Sequence, residues 1–476
     1  QSRSIPCFPA FTVGQMMDSD KIKSRDYLWS APVKGEEVKL PGPPFKLTRT
    51  PHTLRTLAPE LGQHNQGIGD VARRQSSPET GRVLDLGQGA SVPHCGRILA
   101  WMGADVIQVE SSNRLTSRNS PPFAQGRQGP NTGSLYNALG TNKRSCTLDL
   151  TTPQGVELFK GLVQVSDVVI ENFATRTMLK FGLGYETLKE LNPSIIMLSV
   201  SAFGRTGPMK EYVGMHSAVN LFSGVCEVTG YSPEDRPRIL GTILPDPVSG
   251  TAACMAILEA LYYRERTGQG QHIDLSMSET FVNFIPESVA EYSRVGHPPP
   301  AIGNRDPYKV PHGVYRCKGA DHWVAISVST EEEWRSLCST IGQPEVAQDP
   351  LFAEPSVRWQ HHNELDGIIT RWTRQRSHYE AMHLLQQAGV SAGAALNPKD
   401  LLNDPHLKAR RRVVWTDHPE AGRHRMVGAV WDIGNVPPLK YRHAPCIGQH
   451  TDEVLRDLLG LSEQEVERLR EEKALT

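Results

Sequence analysis

A chain of 476 residues can hold two or three domains with sizeable cores, and 51 basic against 52 acidic residues leave a formal net charge of −1. That balance excludes a strongly basic nucleic-acid binder and a polybasic membrane-surface protein, and no apolar run is long enough to cross a bilayer. The eight cysteines are scattered without a CxxC pair or a Cys/His ligand spacing, which predicts reduced thiols and no metal site; the opening QSRSIPCFPAFTVGQ lacks a secretion-signal layout, so a cytoplasmic location is expected.

The leading residues recur near the other end of the chain. Asp18, Arg25, Trp29, Gly42, Pro51, Ala58, Pro59 and Gly62-Gln63-His64 reappear as Asp404, Arg411, Trp415, Gly428, Pro437, Ala444, Pro445 and Gly448-Gln449-His450. Every pair is 386 positions apart without a gap, the signature of an internal repeat. Residues 1–75 therefore read as the tail of a preceding unit plus linker, with RRQSSPETG at 73–81 as the polar connection.

From residue 82 onward, strands and helices alternate. Strand-like 83–86, helical 95–102 and strand-like 105–110 open the series. A helical GVELFKGLVQVSD stretch then leads to strand 168–171, and helix 185–191 to strand 194–200. Such alternation predicts a doubly wound parallel sheet with helices on both faces and ligands outside the C-terminal strand ends. The loops to watch are 87–94, 172–176 and 202–208. At PDPVSGTAACMAILEALYYRERTGQGQ (245–271), Asp246 stands before Pro247 and a run of small residues that enters a helix. The partial positive charge of a helix start favours an ionised carboxylate, and Gly250, Thr251, Ala252 and Ala253 leave room above the first turn. Read alone, such an Asp is an ordinary helix cap. The helix closes at Gly268 with Arg264 and Arg266 in its last turn. Beyond about residue 299 a hairpin-like alternation at 311–334, with Ser329/Thr330 as cap, precedes a polar helical stretch at 357–388. The chain ends in a charged amphipathic helix, 462–473.

Several segments together carry a resemblance. VLDLGQGASVPHCGRILAWMGADVIQVE (83–110), NKRSCTLDL (142–150), DVVIENF (167–173), FGLGYETLKELNPSIIMLSVSAFGRTGP (181–208) and RERTGQGQHIDLS (264–276) occur in the order and spacing of the family III CoA-transferases of CaiB/BaiF type. The chain is similar to that family from about residue 82 to 461. The resemblance implies a Rossmann-like large CoA-binding domain at 82–298, a smaller α+β domain at 299–392, a return to the large domain at 393–476, and an interlocked homodimer or pairing with a homologous subunit. It implies Asp246 as nucleophile for moving CoA from an acyl-CoA to a small carboxylic acid. Coenzyme A enters as substrate, with no permanently bound cofactor.

Two departures from the family pattern bear on the site. The first loop reads GQGASVPHC, placing Ala90 where formyl-CoA transferases carry a Gln, with Gln88 two residues away; His216 stands where many relatives have an acidic residue. Gln88 and His216 therefore join Asp246 as catalytic candidates. For CoA the candidates are Ala90, Arg114, Lys143, Arg144, Asn172, Arg176, Met178 and Lys180, the cations because phosphates require them. Two alternatives stand beside the transferase. One is an acyl-CoA racemase or epimerase with Asp246 and His216 as acid and base on opposite faces of an α-carbon. The other is a non-catalytic CoA-binding half.

Overall fold

The computed structural model describes residues 8–33, 35–54, 56–58, 81–241, 243–434 and 438–476. It divides into two units, one of residues 1–228, 237–299 and 412–476, the other of residues 229–236 and 300–411.

The first unit is built on a seven-stranded sheet. In chain order the strands outside and inside it are β1 (Leu28–Val33), β2 (Glu36–Pro41), β3 (Phe45–Leu47), β4 (Arg82–Asp85), β5 (Asp105–Glu110), β6 (Arg144–Thr147), β7 (Val168–Glu171), β8 (Ile196–Ser201) and β9 (His272–Ser276). The spatial order is β3-β9-β8-β7-β4-β5-β6, with all neighbours parallel except the edge pair β3–β9. Counted from β4, the six parallel strands run 3-2-1-4-5-6, so chain direction across the sheet reverses between β4 and β7 and a crevice opens there. The strands are apolar on both faces because helices cover both. Val83, Val168, Ile170, Leu198 and Ile273 enter one core, while Leu84, Ile107, Val109, Val169 and Met197 enter the other.

The C-terminal residues close the second face: Val454, Leu455, Val466 and Leu469, from helices Thr451–Leu459 and Glu463–Glu471, share the core of β5 and β7. The second helix starts at a Ser462 capping box, in which Glu465 reaches back to the cap. Hairpin β13 (Val413–His418) and β14 (Gly422–Val427) packs Met426 with Trp101.

The leading segment, read from the sequence as the tail of a preceding unit plus linker at 1–75, packs into the first unit where it is described. Val13, Met16, Ile22, Tyr27, Phe45 and Leu47 are part of the main core, and β3 extends the sheet. Lys21 Nζ meets Glu279 at 2.7 Å, and Arg25 reaches both Glu279 (2.5 Å) and Asp274 (2.6 Å), all fully or nearly fully buried. Each buried aliphatic side chain of this kind contributes about 1.5–3 kcal/mol, so the segment is integral to this unit. The region around the expected linker, 59–80, lies outside the described residues.

The second unit holds an antiparallel sheet, β10 (His312–Arg316), β11 (Trp323–Ser327) and β12 (Ser391–Ala395). Helices Glu331–Thr340, His362–Thr373 and His378–Gln387 pack on it through Trp334, Leu337, Ile369 and Leu385. It extends to Arg411 rather than ending at 392, because β12 pairs with β11 and two short helices, Pro398–Asn403 and Pro405–Ala409, follow it.

Candidate active site

The loop after β4 forms one wall of the crevice. Asp85, fully buried at the strand end, accepts the Gly87 N–H at 2.8 Å and pairs with Lys143 Nζ at 2.7 Å, while Lys143 also donates to the Pro93 carbonyl. This fixes the loop and the entry of helix Ser91–Trp101. From the other wall, just past β7, Asn172 clamps the same loop: its Oδ1 accepts the Gln88 N–H at 2.7 Å and its Nδ2 donates to the Gln88 carbonyl at 2.7 Å. Arg205, after β8, donates to Glu171 and to the Phe173 and Thr175 carbonyls, tying the next loop to this one.

Asp246 lies in the first turn of helix Pro245–Thr267, which begins at Pro245, two residues earlier than Pro247 suggests. The backbone N–H of Ser91, at the start of the crevice-lining helix, lies near its carboxylate and favours the charged form. The two helices approach closely: a Cβ on Gly250 would lie 2.4 Å from the Ser91 carbonyl oxygen and 3.1 Å from the His94 ring. Glycine is required there for the two helices to lie this close.

Burial raises the Asp246 pKa, while the His216 imidazole and the Ser91 N–H pull the other way without cancelling it. His216 opens helix His216–Phe222. A side chain at Gly214 would collide with Ala202 and Phe203 at the end of β8, so glycine lets this segment lie close to that strand. His94, which receives the Arg97 guanidinium on Nδ1 at 2.8 Å, is pushed down to about 4 by burial and neighbouring cations. It is therefore neutral at physiological pH.

Asp246, His216, Gln88, Ala90 and Asn172 thus come together. Gln88 Oε1 accepts from Thr116 Oγ1, and Ala90 caps the crevice helix. Neither the Gly89 nor the Ala90 N–H has an acceptor among the described residues, so both are open to developing negative charge. The cation candidates separate. Lys143 is buried on Asp85, and Arg144 is held by Asp105 and Glu453, so neither is presented to a ligand; both occupy structural ion pairs instead. Met178 points into the core rather than lining an adenine. Arg176 is exposed and paired with Glu211, and Arg114 is exposed near the end of β5. Lys180 lines an open hollow of about 510 Å³ with Phe181 and Leu150–Pro153, at the first turn of helix Pro153–Gln164.

Sequence alone does not single out Ser91, whose contribution is a backbone N–H; the available signal is its place at a helix start directly after a strand-end loop. The ion pairs Asp85–Lys143 and Glu171–Arg205 also escape it, since each joins residues far apart in the chain.

The first unit is a doubly wound α/β sheet with Asp246 near the strand-end loop Gln88–Ser91, where such sheets bind ligands. Residues 80–451 match the model of CoA-transferase family III. Over 395 residues the chain is 34% identical to the succinyl-CoA–D-citramalate CoA-transferase of Chloroflexus aurantiacus, covering 83% of this chain and 97% of the relative. It is 31% identical over 417 residues to the formyl-CoA:oxalate CoA-transferase of Afipia carboxidovorans, covering 83% and 96%. Among solved structures, a CaiB/BaiF family protein from Brucella suis superposes with a TM-score of 0.72 at 29% identity, over 79% of this chain and 98% of that one. A protein of Mycobacterium tuberculosis gives 0.65 at 26%, over 78% and 96%. The chain belongs to CoA-transferase family III and is a transferase.

Proposed function

We propose that this protein moves CoA from an acyl-CoA donor to a small free carboxylic acid, using Asp246 as a covalent carrier. The observation that carries this reading is the half-buried Asp246 carboxylate near Ser91, at the start of the helix that follows the β4 loop, whose Gly89 and Ala90 N–H groups have no acceptor among the described residues. Relatives that transfer CoA between succinate and D-citramalate, or formate and oxalate, make short acids the substrate class to test first.

The ionised carboxylate attacks the donor thioester carbonyl; the C–S bond breaks, leaving a mixed anhydride and CoA thiolate. The thiolate attacks the Asp246 carbonyl, releasing the donor acid and forming an aspartyl thioester. The acceptor carboxylate then attacks that thioester, and the liberated thiolate takes the acceptor acyl group, restoring Asp246. Each attack places charge on a carbonyl oxygen, which the loop N–H groups are placed to receive. The hollow at Lys180, with the N-terminus of helix Pro153–Gln164, suits a phosphate of CoA.

His216 beside Asp246 also supports a racemase reading, in which the two residues pass the α-proton between faces through an enolate. Incubation with a chiral acyl-CoA in heavy water separates the two: solvent deuterium at the α-carbon supports racemisation, whereas CoA appearing on an added acid without such exchange supports transfer.

A further inference from the structure

Helices Ser91–Trp101 and Pro245–Thr267 run side by side in the same direction. The first leaves the C-terminal end of β4 and returns to the start of β5. The second passes Ser91 near its own start and ends at the loop that enters β9, with Arg264 Nη1 2.9 Å from Asp167 Oδ1, one residue before β7. Both therefore run against the parallel strands, and they share the core on one face of the sheet. They touch at Gly250, so closely that a Cβ there would lie 2.4 Å from the Ser91 carbonyl oxygen. One turn further along each helix stand Cys95 and Cys254, 0% and 4% exposed in that core and both free thiols. A disulfide needs a Cα separation of about 4.4–6.8 Å. A glycine-mediated contact brings two helices inside their usual axis spacing of about 8–10 Å, which puts residues one turn along within that range.

We propose that Cys95 and Cys254 form a reversible disulfide on reaction with hydrogen peroxide, and that this cross-link switches off the site at Asp246. Burial makes the reaction slow and selects an oxidant little larger than water. The Cys95 S–H beside Cys254 lowers the pKa of that thiol, whereas burial raises that of Cys95, so Cys254 attacks and Cys95 resolves. The Cys254 thiolate attacks one peroxide oxygen; the O–O bond breaks, and hydroxide leaves to take up the thiol proton as water. The Cys95 sulfur then attacks the resulting sulfenic acid; the S–O bond breaks and a second water leaves with the Cys95 proton. Bonding draws the two sulfurs inside their non-bonded separation. The Gly250 contact one turn earlier has no slack to follow, so the helices pivot there and Asp246, one turn before Gly250, shifts from the strand-end loop.

The test treats the full chain with excess hydrogen peroxide at neutral pH, blocks free thiols in denaturant and maps cross-links by peptide mass spectrometry without reduction. The expected product joins the Cys95 and Cys254 peptides, forms with native helicity retained, and is absent from Cys95→Ala and Cys254→Ala. CoA transfer, the readout that rests on the proposed function, should fall about tenfold or more as the cross-link forms and recover with dithiothreitol, while both alanine variants keep their starting rate under peroxide. Native protein in which both thiols stay free, or in which Cys254 is oxidised without joining Cys95, would overturn the proposal. So would a cross-linked protein at full activity, or equal peroxide inactivation of the two variants. Because the cross-link is read by mass, a chain that transfers no CoA before oxidation refutes the transfer reading alone, and the peptide map still decides the disulfide.

Discussion

At the scale of single residues, Asp246 is caught between opposing demands. Burial holds its proton above the ordinary carboxylate range, while the proposed attack on a thioester requires the charged form. The acid limb of the pH–rate profile should therefore lie above that of a free carboxylate. Replacing His216 with Gln removes one of the influences favouring ionisation, so the limb should move to higher pH. A limb unmoved by that change would mean His216 does not act on Asp246 in the working enzyme. The same reasoning fixes a stability sign: a raised native pKa adds stability below the unfolded pKa that is lost as pH rises through the native one. Asp246→Asn, which cannot ionise, should melt higher than wild type at pH 7 while kcat falls about 10³-fold or more. Asp246 and His216 are legible in the sequence because a Pro, small residues and a helix pattern surround the first and the second breaks an expected acidic position. Lys143 is misleading for the opposite reason. A cation in a basic segment reads as a phosphate ligand until the fold brings Asp85 from 58 positions away to claim it.

At the scale of elements, the α/β alternation of residues 82–276 can be read directly, since each strand is a short apolar run and each helix carries 3.6-residue periodicity. The packing of the leading segment cannot, because its partners Asp274 and Glu279 lie some 250 residues further on. Its two buried cations should behave differently. Burial pulls Lys21 down to about 8, so its charge costs stability at neutral pH, and that cost should fade as pH rises from about 8 toward 10.5. Lys21→Met leaves Glu279 with Arg25 and should be close to neutral at pH 7, with the pH-dependent gain above 8 removed. Arg25→Met strips Glu279 and Asp274 of their guanidinium and should cost about 3–5 kcal/mol, read as a denaturation midpoint. Equal effects from the two substitutions would show that the ion pairs are not organised as described.

For the whole molecule, the proposed transfer draws on four segments far apart in sequence: Gln88–Ser91, Asn172, Gly214–His216 and Asp246. Asn172 acts through the loop rather than on substrate. Asn172→Ala should free Gln88 and lower kcat about 10-fold or more with little change in melting temperature, since a misplaced donor loses transition-state contacts while the sheet stays intact. The central claim is that Asp246 carries the acyl group or CoA covalently. Incubation with succinyl-CoA, trapping with hydroxylamine and peptide mass spectrometry tests it most directly. The expected result is a hydroxamate on Asp246 that is absent from Asp246→Asn; an adduct on another residue, or CoA transfer undiminished in that variant, would contradict it.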